Sequence, residues 1–327
     1  MLTDDTLLML WDGLVWPLIR LCFFISIGLL IGEFIESLNW TRYAAKLAAP
    51  LARNAHLKDV SAASFSVAFF SSITANTMLA EAYEKGTISE RELIISNLFN
   101  SLPTYLLHLP SIFFIAAPFI GSAAAMYVGL TAIAALLRTG AIVYSGRFFL
   151  PAQGEGCLSC RLDEMDDRRE LKSVAQKALK RFKKRLPKML YLTCPIYAFF
   201  FALKQVGVFE WLESLMTNSV SFFNFLPPES ITIVIFHMTA EFTAGLAAAG
   251  ALMADTGLSA SHIVGALMLG NLLSTPIKAM RRQFPYYAGI YGPKLAARMV
   301  FYNQLSRGAS IAIVGGAYYF FYLAIIY

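Results

Sequence analysis

Between Phe119 and Leu137 the chain runs nineteen residues without a charge, and it does so again between Ala309 and Tyr327. About 20 apolar residues in a helix cross the roughly 30 Å hydrocarbon core of a bilayer. Leu21–Ile31 with its flanks forms a third such run. A water-soluble helical protein shows apolar stripes of period 3.6 instead of runs apolar on all sides. Only 15% of the residues are charged, against roughly 25% in ordinary soluble domains. These features predict an all-α polytopic membrane protein.

The net charge of +6 is no nucleic-acid signal, because 12 of the 27 Lys and Arg residues lie between Arg147 and Lys188 and most others flank apolar segments. That distribution is what the positive-inside rule produces, and the predicted surroundings are a lipid bilayer. The segment MLTDDTLLML lacks a basic n-region and a small-residue cleavage site, so no removable signal peptide is expected. Cys22 and Cys194 fall in apolar segments and read as packing residues. Cys157 and Cys160 form a lone C-x-x-C in a polar loop, with neither a second pair nor a histidine cluster to make a zinc site.

Two parts of the chain share a series of short matches. Gly32-Glu-Phe34 matches Gly207-Val-Phe209, and Thr74-Ala-Asn76 matches Thr239-Ala-Glu241. Gly86-Thr-Ile-Ser89 matches Gly257-Leu-Ser259, and Asn100…Pro103 matches Asn271…Pro276. Pro110 and Pro118 match Pro285 and Pro293, and Arg138-Thr-Gly-Ala141 matches Arg307-Gly-Ala309. Their common order predicts two halves. Residues 1–150 form a first repeat, 151–186 a basic cytoplasmic connector with a helix over Arg161–Arg185, and 187–327 a second repeat.

Equivalent loops carry opposite charge bias. Segment 40–58 has Arg42, Lys46, Arg53 and Lys58, while its counterpart 208–228 has no Lys or Arg. Segment 104–118 has none, while 276–294 has Lys278, Arg281, Arg282 and Lys294. Equivalent loops on opposite sides mean inverted-topology repeats. Inversion needs an odd number of crossings per half, yet each half offers four apolar segments. Segments 60–83 and 230–254 are the natural exceptions, since each carries polar residues at its centre: Ser71 to Thr77 and His237 to Thr243. The expectation is three crossings plus one re-entrant hairpin per half, both termini outside, and a prokaryotic cytoplasmic membrane.

Glu241 stands first among the candidate site residues, because a carboxylate inside an apolar segment is costly and usually faces a cavity. It is a candidate for cation or proton coupling, or for pairing with Arg307 or His237. Asn76 holds the equivalent place in the first half. Asn100, Asn271, Ser274 and Thr275 precede prolines, where a broken helix exposes carbonyls to a ligand. Arg138 and Arg307 either pair with Glu241 or snorkel to the interface. His108 and His237 read as interior histidines, and the many Phe and Tyr residues as membrane packing and belt residues. No P-loop, H-E-x-x-H, G-x-S-x-G or paired aspartates occur, so nothing supports an enzyme, and no cofactor or metal is expected.

The duplicated module of an interfacial stretch, a small-residue segment with Thr-Ala-Asn or Thr-Ala-Glu, and a helix broken at Asn…Pro resembles the Gate, or nucleoside-recognition, membrane proteins. That group is similar to the membrane domain of ferrous-iron transport protein B, to spore-maturation membrane proteins and to concentrative nucleoside transporters. The resemblance covers nearly the whole chain except 151–186. It implies solute contacts at Thr239 and Glu241 and, by symmetry, at Thr74 and Asn76. Unlike the iron transporters, the chain shows no phosphate-loop spacing for a GTPase. The leading expectation is a secondary transporter or permease for a small polar solute such as a nucleoside, bound at the midplane. Two alternatives stand beside it. One is a membrane subunit of a signalling or maturation complex, joined to a partner protein or a second copy through 151–186. The other is a divalent metal-ion pathway at Glu241, His237 and Asn76.

Overall fold

The computed structural model describes residues 8, 10–37, 48–152, 171–206, 226–239 and 242–326. Most of 40–47 and of 208–225, the Cys157–Cys160 pair and Glu241 therefore lie outside the described residues. Among the described residues every regular element is helical. A π-helical turn at Trp11–Val15 leads into α1 (Trp16–Ser37). Then come α2 (Ala48–Asn54), α3 (Asp59–Ala68), α4 (Ser72–Glu84), α5 (Glu90–Phe99), α6 (Ser101–Ile120) and α7 (Ala123–Phe149). After them come α8 (Leu171–Gln205), α9 (Pro228–Thr239), α10 (Phe242–Thr256) and α11 (Ala260–Lys278). A π-helical segment, Ala279–Gln283, joins α11 to α12 (Phe284–Tyr291), and α13 (Pro293–Ile326) follows.

Among the described residues four stretches are long and apolar enough to cross a membrane: Trp11–Ile31, Glu90–Ile120, Ala123–Phe149 and Ala260–Lys278. The outer faces of α1 and α7, and that of α13, carry large apolar side chains exposed on the protein surface, among them Phe23 and Phe24 on α1, Leu136 on α7, and Phe301 and Ile313 on α13. Water would make such faces an aggregation liability, and lipid satisfies them. The chain is an all-α protein of membrane type.

Glycine and serine punctuate the helices. All four glycines with positive φ, Gly86 (69°), Gly121 (53°), Gly257 (66°) and Gly292 (78°), end one helix and let the chain turn into the next. Gly86 is followed by Ser89, whose side chain accepts the Glu92 N–H at 3.2 Å and caps α5. Gly257 is followed by Ser259, which caps α11 by accepting the His262 N–H at 3.4 Å. Ser71 caps α4 in the same way, through the Thr74 N–H at 3.2 Å.

Segment 60–83 is two helices, α3 and α4, which break at Phe69–Ser71 and pack against each other. Segment 230–254 likewise holds α9 and α10 packed together. At about 1.5 Å per residue each spans roughly 15–23 Å, short of a bilayer core. The helix before Pro103 breaks at Asn100, which closes α5 and opens α6. The second half differs, since α11 runs unbroken through Asn271 and Pro276. Thr275 Oγ1 donates to the Asn271 carbonyl at 2.6 Å, and the irregularity is postponed to the π-helical segment after Lys278.

Helices α7 and α13 pack against each other, and each also meets helices of the other half: α13 meets α5, and α7 meets α11. The helix pairs α3–α4 and α9–α10 sit outside this centre, with α10 against α6 and α4 against α12. Helix α1 lies so close to α6 that a Cβ on Gly28 would stand 2.1 Å from the Phe114 carbonyl oxygen. Helix α8 runs straight through 186–187 and packs on α1. There Cys22 Sγ and Cys194 Sγ come within 3.7 Å, a contact that reading each as a packing residue did not anticipate. The fully buried Glu33 of α1 is paired with Arg185 of α8.

Candidate functional site

Where α7 and α13 meet, the two halves enclose a polar cavity of about 390 Å³. It is walled by α4, α5, α6 and α7 from residues 1–150, and by α11, the π-helical segment, α12 and α13 from residues 187–327. Five asparagines reach it: Asn76, Asn97, Asn100, Asn271 and Asn303. So do two arginines, Arg138 of α7 and Arg307 of α13, and no Asp or Glu lines it among the described residues.

The wall nearest α4 is a hydrogen-bonded network. Asn97 Nδ2 donates to Asn76 Oδ1 at 2.8 Å, and Asn76 Nδ2 donates to the Tyr286 hydroxyl at 3.1 Å. The Tyr291 hydroxyl reaches both the Asn76 carbonyl and Asn76 Oδ1 at 3.0 Å. These bonds tie the first half to the short helix that follows the π-helical segment. On the opposite wall Asn271 Nδ2 donates to the Tyr127 hydroxyl at 3.1 Å, again between halves. Tyr105, between α6 and α7, shares a 3.0 Å contact with Thr131 Oγ1.

The arginines sit differently. Arg138 is 8% exposed and its Nε has no partner among the described residues. Arg307 is exposed on the cavity side and makes one long contact, from Nη2 to Asn271 Oδ1 at 3.4 Å. Among the described residues neither guanidinium meets a carboxylate. Both face the interior, so neither snorkels to the membrane surface. Three further buried polar atoms of the lining are unpartnered among the described residues, Asn97 Oδ1, Asn100 Oδ1 and Ser101 Oγ. Buried polar groups are nearly always hydrogen-bonded, so this clustering marks a place made for something else to bond.

Of the residues singled out in the sequence, Asn76, Asn100, His108, Arg138, Asn271 and Arg307 come together at this cavity. Thr74 is exposed in the first turn of α4 and is not part of its wall. Ser274 and Thr275 are buried one turn beyond Asn271 and are spent on its carbonyl, at 3.3 and 2.6 Å. Thr239 closes α9 beside residues 240–241, and Glu241 lies outside the described residues. His237 is buried away from Asn76, with Gly245 and Gly270 packed on its Cβ. Among the described residues no three His, Cys, Asp or Glu side chains gather as a metal site would need. No pattern in the sequence singles out Asn97, Asn303, Gln283, Tyr105, Tyr286 or Tyr287. Tyr286, Tyr287 and Tyr291 resemble belt residues until the π-helical segment is known to turn α12 inward. The one available signal was the Arg138–Arg307 correspondence itself.

Comparison with known proteins gives relatives without an assigned activity. The chain is 24% identical over 288 residues to an uncharacterized protein of Methanocaldococcus jannaschii, covering 87% of this chain and 88% of that one. A second uncharacterized protein of the same organism is 25% identical over 283 residues, covering 86% and 88%. A third is 24% identical over 274 residues, covering 82% and 86%. No protein family matches the chain, and no solved structure does.

Proposed function

We propose that this chain is a membrane permease, not an enzyme, that binds a small polar solute in the cavity between its halves. The observation that carries this is the pairing of the lining: Asn100 with Asn271 and Arg138 with Arg307 occupy matching places in the two repeats and meet at one cavity. The punctuation supports the duplication, because the four positive-φ glycines among the described residues fall into matching pairs, 86 with 257 and 121 with 292, although Pro118 and Pro293 do not correspond, one closing α6 before Gly121 and the other opening α13 after Gly292. So does the packing, in which α5 on α13 mirrors α11 on α7. On this reading the repeats are inverted, α3–α4 and α9–α10 are re-entrant hairpins, and rocking of one half against the other exposes the cavity alternately to each side. The protein would lie in a prokaryotic cytoplasmic membrane with the basic segment before α8 inside. Thr74, Thr239 and Glu241 stay on this reading as hairpin-tip groups that meet the solute when the halves move.

Sidedness tests it. In a background without the native cysteines, Ser101→Cys and Asn303→Cys are placed in vesicles of known orientation. Impermeant thiol reagents are then added from one side at a time. A permease is labelled from both sides, in populations that exchange. Labelling confined to one side under every condition would make this a receptor or subunit and end the transport reading.

A further inference from the structure

We propose that the cavity is an oxyanion site, and that the solute is a small organic anion carrying a carboxylate or phosphate group held between Arg138 and Arg307. This rests on the permease reading and names its substrate class.

The argument starts from charge. Two guanidiniums line one cavity of about 390 Å³ inside a helical membrane protein, without a carboxylate on its walls among the described residues. Ions taken out of water cost several kcal/mol each unless paired, and like charges sharing a site make the cost worse. A neutral solute relieves none of that. A cation adds to it. An anion neutralises both groups at once. Geometry points the same way: each guanidinium carries five N–H donors in a planar fork suited to carboxylate and phosphate oxygens. Those of Arg138 are underused, with Nε unpartnered in a residue more than nine-tenths buried, and Ser101 Oγ is a further unused donor in the same wall. The rest of the lining is mixed: amides and hydroxyls from Asn76, Asn97, Asn303, Thr104 and Tyr105 stand beside the His108 imidazole and the apolar Ile112 and Ile311. The amides and hydroxyls read the uncharged part of a polar metabolite by hydrogen bonds. Each half contributes one arginine, so the anion also becomes the tie between the halves.

Two measurements test this, and neither can be confused with sidedness. In the first, the Ser101→Cys protein is treated with a negatively charged and a positively charged methanethiosulfonate of similar size at one ionic strength. A field focused by two guanidiniums favours the anionic reagent by about 10-fold or more, and Arg307→Gln collapses that ratio. Equal rates, or preference for the cation, would overturn the proposal whichever sides are labelled. In the second, the unlabelled protein is titrated with inorganic phosphate, glucose 6-phosphate, succinate and uridine. At least one anion should bind, and Arg307→Gln should weaken it roughly 10- to 100-fold, the loss of one or two charge-assisted hydrogen bonds. Arg307→Lys, which keeps the charge, should recover part of the loss. Binding of glucose 6-phosphate with phosphate assigns a phosphoryl group, and binding of succinate alone assigns a carboxylate. Uridine binding that survives Arg307→Gln, with no anion bound, would make the solute neutral. That result refutes the oxyanion site and leaves the permease intact.

Discussion

Replacing Asn76 by Leu keeps the number and branching of the side-chain heavy atoms and removes the hub of the α4 wall. The consequence can be worked bond by bond. The Tyr291 hydroxyl keeps the backbone carbonyl of residue 76 at 3.0 Å, and the Tyr286 hydroxyl keeps the Ser72 carbonyl at 3.3 Å. The Asn97 amide N–H, bonded to Asn76 Oδ1 at 2.8 Å in a residue 3% exposed, is left without an acceptor. An orphaned buried donor costs about 1–3 kcal/mol. Asn97→Leu leaves no such orphan, because Asn76 Oδ1 still accepts from Tyr291 at 3.0 Å. The double variant Asn76→Leu/Asn97→Leu removes both partners and should be more stable than Asn76→Leu alone. The coupling between the sites should be at least about 1 kcal/mol. The assay is the apparent unfolding midpoint in one detergent at one scan rate, because membrane proteins seldom refold well enough for equilibrium values. Strictly additive losses, with the double variant the worst of the three, would refute the Asn76–Asn97 bond as the centre of the α4 wall.

Other contacts give sharper yes-or-no outcomes. Gly28→Ala puts a methyl group 2.1 Å from the Phe114 carbonyl oxygen, so α1 must retreat from α6 at a cost of about 1–3 kcal/mol. Gly129→Ala meets nothing within 4 Å and should be neutral or stabilising in the same melt. With Cys157 and Cys160 changed to Ser, dibromobimane should cross-link Cys22 to Cys194, whose sulfurs are 3.7 Å apart, giving a fluorescent product that Cys22→Ser abolishes. No product from the intact pair would mean that α1 and α8 do not pack as described. Arg185→Ala should lower the melting midpoint more than Glu33→Gln. The first strands a fully buried carboxylate, while the second leaves an arginine whose side chain is 46% exposed.

Much of the fold was legible because its signals are local. Uncharged runs gave α1, α7 and α13, and Gly86-Thr-Ile-Ser89 with Gly257-Leu-Ser259 marked two helix–turn–helix joints that need a left-handed glycine and a serine cap. Asn100 was legible as a break for the same reason. Rotation about a helix axis was not legible. Helix α7 is apolar nearly all round, so no stripe says which way Arg138 points, and its pairing or snorkelling stayed open until tertiary contacts decided it. Asn97 was hidden among Leu93, Ile94, Ile95, Leu98 and Phe99, which make 92–109 read as one apolar segment. The course of α11 could not be read either, since Asn271…Pro276 mimics Asn100…Pro103 while Thr275 and the π-helical segment absorb the proline without a break.

The asymmetry within the matched pairs carries its own consequence. Arg138 is deeply enclosed and Arg307 is open to the cavity, so their exchange with water differs although their places in the two repeats correspond. A solute entering the cavity in this conformation meets Arg307 first. Arg138 lines the same cavity on the neighbouring helix, and on the permease reading rocking of the halves would bring a solute bound at Arg307 fully onto it. A ligand shifts a conformational equilibrium only by its difference in affinity between the states. An anion held by one arginine in the open form and by two in the closed form supplies such a difference. A solute that touched one half alone would supply none. Arg138→Gln should therefore act less on first capture than on closure, and Arg307→Gln should abolish both.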